Sequence, residues 1–253
     1  MREKQRQSAY TYLAKFYDLL MELDYQEWAQ YLINTWEKFG QRQPKILDLA
    51  CGTGTLTLLL AQKGYQIAGL DISKQMLAEA ERKASELGLP IKWYLDDLSD
   101  FDLAEQFDVL LCTCDGLNYL VEENHMFKAL TNAFNHTKAG GLMLFDLNSE
   151  MKLREIYGNN SYADLFQDFG YFWDNYYDEE RNICQMDLTF FLPAENGLYY
   201  RVSERHFEKL WRPPVIIEMA EKIGWQLLGY YAFPTWQEPE DAVERWQFVL
   251  GKD

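Results

Sequence analysis

The stretch Lys45-Ile46-Leu47-Asp48-Leu49-Ala50-Cys51-Gly52-Thr53-Gly54-Thr55 constrains the fold more than any other part of the chain. Its short apolar run, rich in Leu and Ile, suits a buried parallel strand. The run breaks into Gly-x-Gly and passes into Leu56-Thr57-Leu58-Leu59-Leu60-Ala61, a helical pattern. Strand, glycine turn and helix in that order let a ligand come close to the backbone and meet the unpaired N–H groups of a helix N-terminus. The dinucleotide fingerprint has a third glycine where this chain has Thr57, so a loop built for pyrophosphate fits poorly. Asp48, at the strand end, would repel phosphate and suits a ligand carrying an ammonium group. Asp71 closes the next apolar run, Ile67-Ala68-Gly69-Leu70. An acid at that place can accept hydrogen bonds from both hydroxyls of a ribose.

Strand and helix patterns alternate from there. The periodicity predicts strands over 45–50, 66–70, 91–95, 107–112 and 142–146, with helices over 55–63, 74–87 and 122–138 between them. Ser73 is a suitable N-cap, Gly88 and Pro90 stop the second helix, and Gly140-Gly141 is expected to end the third. Repeated β-α units make a doubly wound, mostly parallel α/β sheet whose ligand lies beyond the strand carboxyl ends. Asp48, Asp71, Asp97 and Cys112 all fall near those ends. Ahead of the core, residues 8–39 read as one or two helices that Gly40 stops. Behind it, residues 160–211 change to period-2 alternation over 171–177, 184–192 and 198–209, a three-stranded antiparallel meander with turns at 178–180 and 193–197. Pro213-Pro214 opens a helix over 215–223, and 225–231 with 246–250 form an antiparallel hairpin. The expected division is 1–147 for the helices and ligand-binding half of the core, 148–212 for the inserted β subdomain, and 213–253 for the rest of the core.

Composition narrows the function. A chain of 253 residues fits one α/β core with an elaboration. Its net charge of −16 would repel a phosphate backbone and argues against a nucleic-acid substrate. No apolar run approaches the ~20 residues of a membrane helix. Met1-Arg2-Glu3-Lys4-Gln5-Arg6 leads into no signal core, so a cytoplasmic chain without a membrane partner is expected. The four cysteines are scattered, and Cys112-Thr113-Cys114 is too tight for a zinc knuckle. No metal site is expected, and the thiols read as reduced.

With Asp71 at its distance, Ile46-Leu47-Asp48-Leu49-Ala50-Cys51-Gly52-Thr53-Gly54 closely resembles the first two motifs of class I S-adenosylmethionine-dependent methyltransferases. Asp97, in Tyr94-Leu95-Asp96-Asp97-Leu98, resembles the acid of the third motif, which receives the adenine amino group. The resemblance is strong over 45–147 and looser outside. It implies a seven-stranded Rossmann-like sheet with its last strand antiparallel beside the sixth, and S-adenosyl-L-methionine as cofactor. The cofactor-binding residues it implies are Tyr17, Asp48, Ala50, Cys51, Gly52, Gly54, Asp71, Ile72, Met76, Asp96, Asp97, Leu98 and Cys112. Leu13 to Met21 resembles the N-terminal lid of small bacterial methyltransferases, which would bring the Tyr17 hydroxyl to the cofactor or substrate; plain packing is the alternative.

The remaining candidates concern the acceptor. The loop Thr113 to Leu120 resembles the family segment that borders the reacting methyl group, where Asp115, Asn118 and Tyr119 could orient an amine or hydroxyl; an ordinary turn explains it equally. The β insert resembles that of sugar-amine and glycine-type N-methyltransferases, in which it covers the substrate pocket or forms a homodimer interface. Phe169, Tyr171, Trp173 and Tyr177 would then line a pocket or pack. Glu204 and His206 share a strand face, as a base pair for deprotonation or as a structural histidine beside an acid. Tyr17, Asn118 and His206 are the candidate catalytic residues. The expected reaction is methyl transfer to nitrogen or oxygen of a small-molecule acceptor. Two alternatives stand beside it: a nicotinamide-dependent oxidoreductase, against which Thr57 and Asp48 count, and a non-catalytic cofactor-binding or interaction protein.

Overall fold

A computed structural model describes residues 10, 13–21, 23–166, 169–240 and 242–253. The helix expected from residue 8 begins outside them. Within them that region is a turn at Leu13–Lys15, a short helix α1 at Tyr17–Leu20 and a longer helix α2 at Tyr25–Lys38. The break is chemical: the Asp24 carboxylate accepts from the Glu27 N–H at 2.9 Å and so caps a new helix. Gly40, at φ +90°, ends α2 as its position suggested.

The core then runs β1 (Lys45–Leu49), α3 (Thr55–Gln62), β2 (Gln66–Asp71), α4 (Lys74–Glu86), β3 (Lys92–Leu95), β4 (Phe107–Cys112), α5 (Glu123–His136) and β5 (Thr137–Asn148). The insert supplies β6 (Ser161–Leu165), β7 (Gly170–Asp178), β8 (Ile183–Pro193) and β9 (Tyr199–Lys209). The chain closes with α6 (Pro213–Ile223), β10 (Gln226–Ala232) and β11 (Arg245–Gly251). The main sheet has the order β10-β11-β5-β4-β1-β2-β3. Only β11 runs against its neighbours, β10 and β5. Alternation along the strands sorts the core into two layers. Ile46, Val109, Leu111, Leu144 and Val249 join Trp28, Leu32 and Trp36 of α2 on one face. Leu47, Leu110, Met143, Phe145 and Phe248 meet α5 and α6 on the other. No helix of the described residues is long and apolar enough to cross a membrane.

Two expectations are corrected. Gly140-Gly141 does not cap α5, which ends at His136; β5 starts at Thr137 and the two glycines lie inside it. Gly140 sits at φ +73° where the β4–β5 register shifts, and a Cβ on Gly141 would meet the Asp108 carbonyl at 2.8 Å. The glycines serve a bulge. The insert has four strands, in the order β6-β7-β8-β9, and not three. All of β6 is exposed, so it carries no apolar alternation by which to read it. A π-helix at Met151–Tyr157 leads into it.

Candidate functional site

The loop after β1 bends through three left-handed residues, Ala50 (φ +54°), Gly52 (+56°) and Gly54 (+72°). The two glycines work differently. A Cβ on Gly54 would stand 2.8 Å from the Trp93 ring and 2.9 Å from Ala80, so its bareness lets the start of α3 sit against β3 and α4. Around a Cβ on Gly52 nothing lies within 4 Å, and Gly52 faces a cleft. Gly69 in β2 completes the arrangement: a Cβ there would strike Trp93 at 2.5 Å and the Cys51 sulfur at 2.8 Å.

The cleft encloses about 1130 Å³ out to its mouth. Of the residues expected at a cofactor, Tyr17, Asp48, Ala50, Cys51, Gly52, Asp71, Ile72, Met76, Asp97 and Leu98 line it. Gly54, Asp96 and Cys112 do not. Gly54 is spent on packing, and Asp96 shapes its own turn by accepting from the Asp97 N–H at 2.9 Å. Cys112 is wholly buried under the loop.

Three carboxylates give the cleft its character. Asp71 accepts from the Gly52 N–H at 2.8 Å and the Ser73 N–H at 2.7 Å, which anchors the glycine loop to the end of β2. Burial pushes its carboxyl up to about 6 against those bonds. Asp48 accepts from the Thr57 hydroxyl at 2.5 Å, so the residue in place of a third glycine orients this acid. Burial, with the nearby charge of Asp71, pushes Asp48 up to about 7. Asp97 accepts from the backbone and hydroxyl of Ser99 at 2.7 and 2.8 Å. A cationic ligand is what two buried acids of raised pKa accommodate best, because it restores the charge balance that burial removed. The Asp48 oxygen bonded to Thr57 also keeps a second lone pair for a ligand group. The donor set fits S-adenosylmethionine. Burial raises the Cys51, Cys112 and Cys114 thiols well above their usual range, so they stay protonated and weakly nucleophilic.

A second cavity of about 560 Å³ adjoins the cleft and shares Tyr10, Tyr17, Cys114, Tyr119 and His206 with it. Trp173, Met186, Leu188 and Glu208 of the insert wall it, with Asp115, Lys152, Tyr157 and Arg245. Of the insert aromatics, Trp173 reaches this chamber, while Phe169, Tyr171 and Tyr177 pack in the insert core. Cys114 and Asp115 are consecutive left-handed residues, at φ +56° and +59°. That strain, of order 1–3 kcal/mol each, needs fixing from outside. Arg245 supplies it, pairing with Asp115 at 2.8 Å and with Asp146, while the Asp115 N–H donates to Asp146 at 3.0 Å. Burial works against the guanidinium charge, but the carboxylates of Asp146 and Asp115 outweigh it and hold Arg245 protonated. Glu208 accepts from Asn148 Nδ2 at 2.7 Å; burial and the charge of Asp115 raise its carboxyl. Burial and Arg245 lower the Lys152 ammonium.

His206 lies in the walls of both cavities, as does Tyr17. Asn118 lies in neither. It is fully buried, donates to the Lys209 carbonyl at 2.9 Å and accepts from the Asn148 N–H at 3.1 Å, which ties β9 to β5. Both ends of its amide are committed to backbone, so the structure gives it a bracing place and not an acceptor contact. Sequence reasoning missed Asp18, whose carboxylate accepts from the Thr53 and Thr55 hydroxyls (2.6 and 3.0 Å) and from Lys83 (2.6 Å), fastening the N-terminal segment across the glycine loop. No local pattern marks it. Glu208 was within reach, since the alternation that pairs Glu204 with His206 continues to it. Arg245 also carried a signal: a cation entering the apolar run 246–250 needs a buried partner.

Residues 46–141 match the family model for a methyltransferase domain. The chain is 32% identical over 246 residues to YqeM of Bacillus subtilis (strain 168), a methyltransferase by assignment, covering 96% of this chain and 97% of that one. The crystal structure of an S-adenosylmethionine-dependent methyltransferase from Clostridium acetobutylicum ATCC 824 superposes with a TM-score of 0.86 at 28% identity, over 95% of this chain and 97% of that one. Over 136 residues, 53% of each chain, this chain is 29% identical to the dTDP-4-amino-2,3,4,6-tetradeoxy-D-glucose N,N-dimethyltransferase of Saccharopolyspora spinosa.

Proposed function

The chain belongs to the class I S-adenosylmethionine-dependent methyltransferases, and from that we propose that it methylates the nitrogen of a small-molecule amine held in the chamber between core and insert. The observation that carries this reading is the adjacency of the two cavities, whose five shared residues put any occupant of the chamber beside the cofactor cleft. The amine is supported by the rings of Tyr10, Tyr17, Tyr119, Tyr157 and Trp173 around the chamber, whose faces suit a positively charged product. The Saccharopolyspora relative, named for an amino sugar, adds weight.

S-adenosylmethionine, when bound, supplies a methyl group already activated on a sulfonium. The protein's part is therefore alignment and exclusion of water. In this reading Asp71 holds the ribose hydroxyls and Asp97 the adenine amino group. Asp48 faces the ammonium side, and the Gly52 backbone lies close to the cofactor. Tyr10 and Tyr17, on the segment that Asp18 fastens down, close the top. The protonated thiols of Cys51 and Cys114 leave the acceptor as the nucleophile.

Calorimetry comes first, with S-adenosylmethionine and S-adenosylhomocysteine as ligands and NAD as control. Release of S-adenosylhomocysteine is then followed with amino sugars, amino acids and aryl amines, against the matching alcohols. Turnover of alcohols with none of amines would refute the nitrogen assignment. Turnover of neither, by a protein that binds the cofactor, would refute the chamber as a small-acceptor site.

A further inference from the structure

We propose that Tyr119, His206 and Glu204 form a relay that removes the acceptor's proton as the methyl group is transferred, an inference that rests on the small-acceptor reading above. His206 is buried, with its Nδ1 3.4 Å from the Tyr119 hydroxyl and its Nε2 3.3 Å from a Glu204 oxygen. Tyr119 follows β4, the other two residues lie on β9, and Tyr119 and His206 line both cavities. The relay therefore stands where methyl donor and acceptor would meet. Distances of this length are usual for an acid–base pair before its substrate is bound.

The surroundings select one tautomer. A phenol can donate to Nδ1 only if that nitrogen carries the lone pair, which leaves Nε2–H to donate to the Glu204 carboxylate. Glu204 is itself fixed, since it accepts from the Tyr10 N–H at 3.0 Å and the Leu13 N–H at 3.3 Å. The Tyr10 ring meets the imidazole edge to face, at 4.8 Å and 77°. A base whose second nitrogen is held by a carboxylate is the arrangement that activates nucleophiles on many folds. The other charged groups facing the chamber are otherwise engaged. Asp115 is paired with Arg245; Glu208, its carboxyl raised by burial, accepts from Asn148 Nδ2; and Lys152 lies over the Tyr157 ring.

The step balances. The acceptor nitrogen's lone pair forms the bond to the methyl carbon, and the carbon–sulfur bonding pair stays on sulfur as S-adenosylhomocysteine leaves. The acceptor's N–H proton passes to the Tyr119 oxygen, and the Tyr119 proton passes to Nδ1 of His206. The imidazolium that results faces Glu204 and returns its proton to solvent. His206 is the base, Tyr119 the conduit and Glu204 a positioning residue.

The test uses the full chain with ¹⁵N-labelled histidine, saturated with S-adenosylhomocysteine. The chain has three histidines, so His206→Gln assigns the signal. The relay requires the Nε2–H tautomer, and Tyr119→Phe must shift the Nδ1 resonance. In parallel, S-adenosylhomocysteine release is measured with an equimolar mixture of glucosamine, glycine and tyramine. His206→Gln and Tyr119→Phe should lower kcat by about 10²- to 10⁴-fold, with imidazole partly restoring His206→Gln. An Nδ1–H tautomer in the wild type, or turnover of His206→Gln close to the wild-type rate, overturns the relay. If the wild type releases nothing from the mixture, the amine reading is what fails, and the spectrum still decides the relay.

Discussion

Replacing Asp48 with Asn isolates the electrostatic cost of the cofactor cleft. Asp48 is 2% exposed, and its carboxyl is raised from 3.8 to about 7, mainly by burial. The folded protein therefore holds this proton over a range where the unfolded chain has lost it. Stability from this group is complete below about pH 4 and falls as pH rises toward 7. At about 1.4 kcal/mol per pKa unit, the loss above pH 7 is about 4 kcal/mol, of which about 3 kcal/mol develops between pH 5 and 8. An Asn in its place still accepts from the Thr57 hydroxyl, which now lies 2.5 Å from the acid. Asp71 titrates in both proteins and is coupled to Asp48 by charge, so the difference between them reports Asp48 together with that coupling. Urea denaturation at pH 5, 6, 7 and 8 should show Asp48→Asn gaining on the wild type as pH rises. The same variant should bind S-adenosylmethionine more weakly by about 1.5–3 kcal/mol, the worth of a hydrogen bond to a charged group. Parallel stability curves across that pH range would refute the assignment of a buried, cleft-facing charge to Asp48.

Three further perturbations have definite outcomes. Gly54→Ala, which pushes a Cβ against Trp93 and Ala80 at φ +72°, should cost roughly 2–4 kcal/mol of stability in thermal unfolding, whereas Gly52→Ala should cost only about 1–2 kcal/mol and lose cofactor affinity instead. Equal losses would mean that the two glycines do not divide their work as described. Arg245→Met leaves the buried Asp146 and the partly exposed Asp115 without their cation and should destabilise by about 3–5 kcal/mol; a shift within about 1 kcal/mol would show that the left-handed loop at Cys114-Asp115 holds without it. Asp18→Asn cuts the links to Thr53, Thr55 and Lys83 and, being half-exposed, should change stability by under about 1 kcal/mol while speeding cofactor release in stopped-flow. An unchanged release rate would separate the N-terminal segment from cofactor exchange.

The elements that sequence reading resolved are those whose signals are local. Ser73 caps α4 by accepting from the Met76 N–H at 3.3 Å, Pro213 opens α6, and Gly224 at φ +115° closes it. Each depends on a few neighbouring residues. The errors have local causes as well. Gly140-Gly141 has the composition of a helix stop and the geometry of a bulge, because Thr137 already binds the Ala133 carbonyl at 2.8 Å and turns the chain into β5. Strand β6 hides because exposure on every residue leaves no period to detect.

The sequence by itself determined the succession of strands and helices and the placing of Asp48, Asp71 and Asp97 beyond strand ends, since strand period and turn chemistry act over a handful of residues. It also put Glu204 and His206 on one face. Only the tertiary structure decided what those faces meet. Glu204 takes hydrogen bonds from residues 194 and 191 positions earlier, Asn148 reaches Glu208 across 60, and Arg245 reaches Asp146 across 99. Periodicity states which way a side chain points. The partner it finds there depends on how the sheets close over one another, where the burial that raises the acids and the pairing that neutralises Arg245 arise from groups distant in the chain.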